Sequence, residues 1–286
     1  MRHGIAFISR AVLLIGLSCA SPLHAQDFVK PAVSPMMPFE LVSGFLVVVN
    51  GRIGDLAGLK FILDTGATRS VIDRKVADRL GLPRRPGAVL NFERRIPVGW
   101  TDIPELQVGP LRAEGVRLMV VDLAKYFELA KHADGIIGLD LLSRSNKFTI
   151  DYRRRVVSLQ LSEEGHADRA PSACFLVPLV IQGKRIQAMV DTGLQGIVLY
   201  KNGLRKQLPK LRVEGRATKV AMGPLRATQI RLPGVQIAGA DAVATVLLID
   251  DPDGGALPEV DGYLGPAFLR AERIEFDFVR GVLRWQ

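Results

Sequence analysis

The chain has 286 residues and a formal net charge of +9, a length that suits one large domain or two of ordinary size. With 48% hydrophobic and 23% charged residues it has the material for packed cores and is not a disordered polymer. Its basic residues are scattered or in short clusters (Arg84-Arg85, Arg94-Arg95, Arg153-Arg154-Arg155) with no interleaved aromatics, which argues against a nucleic-acid partner.

In chain order, Arg2, His3 and Arg10 precede the apolar "AVLLIGLSCA" (11–20), which is short for a bilayer span. Small residues follow, with cleavage points after Ala20 or Ala25. Residues 1–25 are expected to be a secretory signal peptide and the protein to be exported, periplasmic or secreted. An uncleaved membrane anchor is the alternative. Lipid attachment at Cys19 is disfavoured because Gly16 stands where a lipobox has leucine. Loss of the signal takes the net charge to +7 and leaves Cys174 alone, so no intrachain disulfide can form and no membrane span remains.

The segment "FLVVVNGRIGDLAGLKFILDTG" (45–66) reads as a strand, a glycine turn and a second strand ending in Asp64, Thr65 and Gly66. "DRKVADRLG" (73–81) predicts a helix with Asp73 as N-cap and Gly81 as its stop. "FERRIPVGW" (92–100) is a candidate hairpin, with Trp100 either lining a pocket or in the core. "LAKYFELAK" (123–131) has helical spacing of apolar residues. In "DGIIGLDLLSRSNKFTIDYRRRVVSLQL" (134–161), Asp140 is expected to cap a short helix and Asp151 to form a hairpin turn. The polar "SEEGHADRAPSA" (162–173) reads as a linker.

The pattern then returns. "FLVPLVIQGKRIQAMVDTG" (175–193) ends in Asp191, Thr192 and Gly193, 127 residues after the first triplet. "KNGLRKQL" (201–208) is a weaker helix, and "VAMGPLRAT" (220–228) a second hairpin, with Met222 as a further pocket candidate. "DGYLGPAFLRAERIEFDFVRGVLRW" (261–285) repeats 134–161, with Asp277 in the place of Asp151. Two lobes are expected, 38–161 and 174–286, each mainly β with few short helices.

An aspartate at the end of a buried strand is costly unless it is paired or hydrogen-bonded. A glycine two residues on allows a tight turn and close approach, and the intervening threonine offers a hydroxyl. Two such turns could hold two carboxylates face to face. Such a pair shares one proton, so the ionised member can take a proton from water while the other donates to a carbonyl. That chemistry hydrolyses amides without metal, cofactor or histidine. His132 and His166 are the only histidines beyond the first 25 residues, and neither metal-ligand spacing nor a G-x-S-x-G nucleophile motif is present.

These residues resemble the retropepsin-like (retroviral-type) aspartic peptidases, with two lobes in one chain as in the pepsin-like arrangement. The family motif, Asp-Thr/Ser-Gly followed later by two apolar residues and glycine, is matched by Ile136-Ile137-Gly138 and Tyr263-Leu264-Gly265. The resemblance implies duplicated acid-protease β-barrel lobes, an aspartic endopeptidase activity on polypeptides, catalytic Asp64 and Asp191, and a monomer with pseudo-two-fold symmetry. It implies supporting roles for Thr65, Gly66, Thr192, Gly193, Gly138 and Gly265, with each glycine strand passing beneath an Asp turn. It also implies flaps at the two hairpins. Lobe one matches well in "DTGATRS". Lobe two departs: Leu194 follows its triplet and Ile197 stands opposite Ser70. A catalytically decayed peptide-binding or scaffold protein on the same fold is therefore the alternative. Neither Ala67 nor Leu194 offers a side-chain donor to its aspartate, so the dyad's pKa values are expected to be raised and the pH optimum to be mildly acidic to near neutral.

Overall fold

Strand β8 (Leu111–Val121) shows how the sequence writes this fold. Its apolar residues alternate with Arg112, Glu114 and Arg117, and at Gly115 (φ 58°) the alternation changes phase. Leu111 and Ala113 before the glycine, and Val116, Leu118 and Val120 after it, are all buried. The positive φ lets one strand bend around a core and keep the same side inward.

The structure, a computed structural model, describes residues 35–91, 94–126, 132–161, 175–222, 225–237, 240–251 and 260–286. The expected signal peptide, the linker at 162–173, Cys174, His166 and the tips of both flap hairpins lie outside them. In chain order the first strands are β1 (Met36–Pro38), β2 (Glu40–Val42), β3 (Leu46–Ile53), β4 (Leu56–Leu63), β5 (Val71–Asp73), β6 (Arg85–Asn91) and β7 (Arg94–Val108). After β8 come β9 (Gly135–Ile137), β10 (Ser145–Asp151) and β11 (Val156–Leu161). The second half supplies β12 (Leu176–Ile181), β13 (Lys184–Val190), β14 (Ile197–Tyr200), β15 (Glu214–Met222), β16 (Leu225–Ile237) and β17 (Ala240–Ile249). It ends with β18 (Gly262–Leu264), β19 (Arg273–Asp277) and β20 (Val282–Trp285).

The molecule is mainly β. Among the described residues there are four short α-helices: α1 (Arg74–Arg79), α2 (Leu123–Tyr126), α3 (Leu139–Leu142) and α4 (Lys201–Gln207). Asp73 caps α1 as its sequence predicts, accepting from the Lys75 N–H at 2.8 Å. Its other oxygen accepts from the Leu123 N–H at 2.9 Å, so one buried carboxylate fixes the starts of two helices. Of the helix expected over 123–131, only α2 lies within the described residues.

The duplication is explicit in the sheets. The first runs β2-β3-β4-β9-β5-β8-β7-β6 and closes through β3–β7 pairing. The second runs β12-β13-β18-β14-β17-β16-β15 and closes through β12–β16. Apart from the added β2, the two orders correspond strand for strand.

A third sheet, β1-β11-β10-β19-β20, takes strands from both halves. Its centre is the antiparallel β10–β19 pair, in which Phe148 lies opposite Phe276. The pseudo-two-fold axis passes between Thr149 and Glu275, which hold matching places in the repeat and lie opposite each other, one position from the two phenylalanines. Both are fully buried, their rings are stacked 5.3 Å apart, and Phe175 meets Phe276 edge-on at 5.1 Å. One apolar core runs from lobe to lobe through this sheet.

Candidate active site

Both aspartates of the repeated triplet sit at strand ends. Asp64 follows β4 and Asp191 follows β13, and each strand is paired in parallel with a short one carrying the downstream apolar pair. The Asp64 N–H donates to the Ile137 carbonyl and the Asp191 N–H to the Leu264 carbonyl, both at 3.0 Å. The ladder thus continues to the carboxylate-bearing residue, and the chain turns immediately after it.

Thr65 and Thr192 are fully buried and join the two turns. The Thr65 hydroxyl donates to the Val190 carbonyl at 2.8 Å and accepts from the Thr192 N–H at 3.1 Å. The Thr192 hydroxyl donates to the Leu63 carbonyl at 2.7 Å and accepts from the Thr65 N–H at 3.0 Å. Each hydroxyl uses its donor and an acceptor site on the opposite lobe, so the two strand ends are held in fixed register.

The glycines explain how the carboxylates can meet. A Cβ on Gly66 would overlap the Asp191 carboxyl group, and one on Gly193 would come within 2.7 Å of an Asp64 oxygen. Gly138 lies under the Asp64 turn, where a Cβ would stand 2.7 Å from the Ala67 carbonyl. Gly265 is held against the Leu194 carbonyl in the same way. All eight residues of the predicted site come together at one point between the lobes.

The two carboxyl groups are hydrogen-bonded to each other but are not equivalent. Burial pushes the Asp64 pKa above 3.8, while the Gly66 N–H, Asp191 and the Ala67 and Gly193 N–H groups pull it back. Burial also raises Asp191, followed by the charge and hydrogen bond of Asp64, and only the Gly193 N–H opposes them; the result is well above 3.8. The asymmetry has a local cause. The Ala67 N–H reaches the Asp64 carboxylate at 3.2 Å, whereas the Leu194 N–H turns to the main-chain oxygen of Asp191. The larger donor set favours the negative charge on Asp64 and the shared proton on Asp191.

A stability consequence follows. Both acids have raised pKa values when folded, so above the ordinary aspartate range the native chain retains a proton that the unfolded chain has released. Stability contributed by this pair must fall as pH rises from that range through the folded pKa values. Asp191→Asn fixes that side chain neutral and should lessen the fall, leaving only the part that burial of Asp64 contributes. Melting temperatures measured against pH should show the variant gaining on the wild type as pH rises. A constant difference would contradict the assignment.

Asp140 departs from expectation. It makes no capping hydrogen bond to α3, whose N-cap is Gly138. Instead one oxygen accepts from the Ser70 hydroxyl at 2.6 Å and the Ser70 N–H at 2.9 Å. The Ser70 hydroxyl in turn accepts from the Gly138 N–H at 2.9 Å. This network ties the end of the Asp64 turn to the glycine strand beneath it. In lobe two the matching positions are Ile197 and Ala267, and the Gly265 N–H donates to the Gly196 carbonyl instead. A polar pair has been exchanged for an apolar one, and the glycine N–H keeps an acceptor. Ser70→Ala alone should cost about 1–3 kcal/mol, and adding Asp140→Ala should cost less than the sum of the single changes. Strict additivity in denaturant unfolding would show that the two residues act independently.

Asp151 and Asp277 do form turns, accepting from the Arg154 and Arg280 N–H groups at 2.7 and 2.9 Å. Asp277 also lies 3.7 Å from Lys147 and 3.5 Å from Arg284, a role in joining the central sheet that its turn position did not signal. Both flap candidates fall on antiparallel hairpins, β6–β7 and β15–β16. Trp100 is half-buried and packs beside Ile96, Val98 and Met119.

Residues 49–141, which carry Asp64, Ser70, Gly138 and Asp140, match the aspartyl protease family. A retropepsin-like aspartic protease from Rickettsia conorii is similar at 16% identity, covering 44% of this chain and 87% of that one, with a TM-score of 0.32. Basic 7S globulin from soybean is similar at 12% identity, covering 88% and 94%, with a TM-score of 0.43. No curated protein matches. The match to the aspartyl protease family covers the first Asp-Thr-Gly turn and the glycine strand beneath it, the part of the chain that resembles the retropepsin-like peptidases in sequence.

Proposed function

We propose that this chain is an aspartic-type endopeptidase that uses Asp64 and Asp191 as one catalytic dyad. The observation that carries the reading is the pair of hydrogen-bonded carboxyl groups with unequal donor sets. Ionised Asp64 takes a proton from an attacking water while Asp191 donates its proton to the peptide carbonyl oxygen. The gem-diol intermediate collapses with breakage of its C–N bond as the proton gained by Asp64 passes to the leaving nitrogen and Asp191 takes a proton back from a gem-diol hydroxyl. An extended substrate in the cleft would add a strand beside the β6–β7 and β15–β16 hairpins.

Leu194 and Ile197 favour the rival, a decayed peptide-binding or scaffold protein. The test is incubation of purified protein with unfolded proteins, with and without pepstatin. Cleavage by the wild type and none by Asp64→Asn supports the enzyme. Binding without cleavage by the folded wild type supports the rival.

Both turns lie in one chain, so a monomer should suffice. Activity per molecule should stay constant on dilution; loss in step with dissociation of a dimer would show sites built between chains. Among the described residues no helix is long and apolar enough to cross a membrane. Export remains our reading of residues 1–25, and mass spectrometry of the mature N-terminus tests it.

A further inference from the structure

The turn that carries Asp64 also carries Arg69, which helps line a pocket of about 450 Å³ together with Arg85, Trp100, Asp102 and Arg117. The backbone links this pocket directly to the dyad. Arg69 precedes Ser70, whose carbonyl accepts from the Met119 N–H at 3.1 Å, and Met119 pairs with Trp100 across β7–β8. Trp100 forms an apolar wall, its indole lying so close to Gly87 that a Cβ there would collide with it.

Around that wall stand three guanidinium groups and one carboxylate. Asp102 is engaged by Arg117 at 2.8 Å and, more distantly, by Arg85 at 3.9 Å. The Arg117 hydrogen bond holds the Asp102 carboxyl below its ordinary pKa, so it is ionised and the pocket retains two excess positive charges. Arg69 is exposed and makes no hydrogen bond or ion pair among the described residues. A guanidinium left unpaired beside an aromatic wall is suited to a carboxylate on a short aliphatic stem.

Lobe two has no counterpart. Following the strand registers, Arg69 corresponds to Gly196, Arg85 to Thr218, Trp100 to Gln229, Asp102 to Arg231 and Arg117 to Thr245. The wall is lost, and one cation replaces three. The dyad is nearly symmetric while its flanks are not, so an extended chain bound across both lobes meets a cationic pocket on one side only.

We propose that the pocket formed by Arg69, Arg85, Trp100 and Arg117 is a specificity subsite for an acidic residue, Asp or Glu, on one side of the scissile bond. This rests on the endopeptidase reading and adds the class of substrate. Matched peptides differing only by Glu or Gln at each position around a cleaved bond test it. One position should prefer Glu by about 10-fold in kcat/KM. Arg69→Gln, a change at an exposed side chain with no partner, should lose most of that preference, and Arg69→Glu should favour Lys there instead. Cleavage with no Glu preference at any position, or a preference unchanged in Arg69→Gln, overturns the subsite and leaves the protease reading intact. If the wild type cleaves nothing, binding decides. In a Trp285→Phe background, which leaves Trp100 as the sole tryptophan, the Glu peptide should perturb Trp100 fluorescence at lower concentration than the Gln peptide. Equal binding curves would also overturn it.

Discussion

Asp64→Asn and Asp191→Asn should each reduce kcat/KM for peptide hydrolysis by about 10³-fold or more, because each variant removes one of two proton-transfer roles. The double variant should be little worse than either single one, since the roles act as a unit. Neither should unfold the protein. The amide oxygen can still accept from the turn N–H groups, and at position 64 the amide also removes the charge that burial opposes. Circular dichroism and melting curves alongside steady-state kinetics separate the two effects. Wild-type turnover in either variant would refute the shared-proton mechanism.

Thr192→Val should carry the largest cost to stability. It leaves the Leu63 carbonyl without its donor at 2.7 Å and the Thr65 N–H without its acceptor at 3.0 Å, both buried. At about 1–3 kcal/mol for each orphaned group, the loss is about 2–6 kcal/mol. Thr192→Ser keeps the hydroxyl and should recover most of it. Because Leu63 precedes Asp64, activity should fall in parallel even at temperatures where the valine variant remains folded. A loss under about 1 kcal/mol in urea would mean that the bonds between the turns contribute little to holding the lobes together.

The sequence announced what is local or repeated. Two Asp-Thr-Gly turns, two glycine strands at the same interval and the Asp73 cap are short-range patterns, and each appears where its residues lie. The Asp64 and Asp191 pairing was readable because the motif occurs twice. What was hidden depends on distant partners. Nothing around Asp140 says that its acceptor atoms serve Ser70, 70 positions away, since an aspartate after a glycine is equally suited to a helix cap. Nothing around Phe148 says that it faces Phe276, because a buried strand looks alike whichever strand it pairs with. The arginine pocket was scattered among short basic clusters, which on their own read as solvated surface.

The central sheet has a further meaning when time is considered. Strand β10 leaves the ribosome about 120 residues before β19, a wait on the order of ten seconds. Until β19 arrives, one edge of β10 has unsatisfied backbone groups beside an exposed Phe148. Because the pseudo-two-fold axis passes between Thr149 of β10 and Glu275 of β19, the surface that most closely imitates β19 is β10 of another nascent chain. The duplication that completes the site within one polypeptide thus also makes each newborn first lobe a competitor for its neighbour, and the tether to the second lobe decides that contest by raising the local concentration of the correct partner.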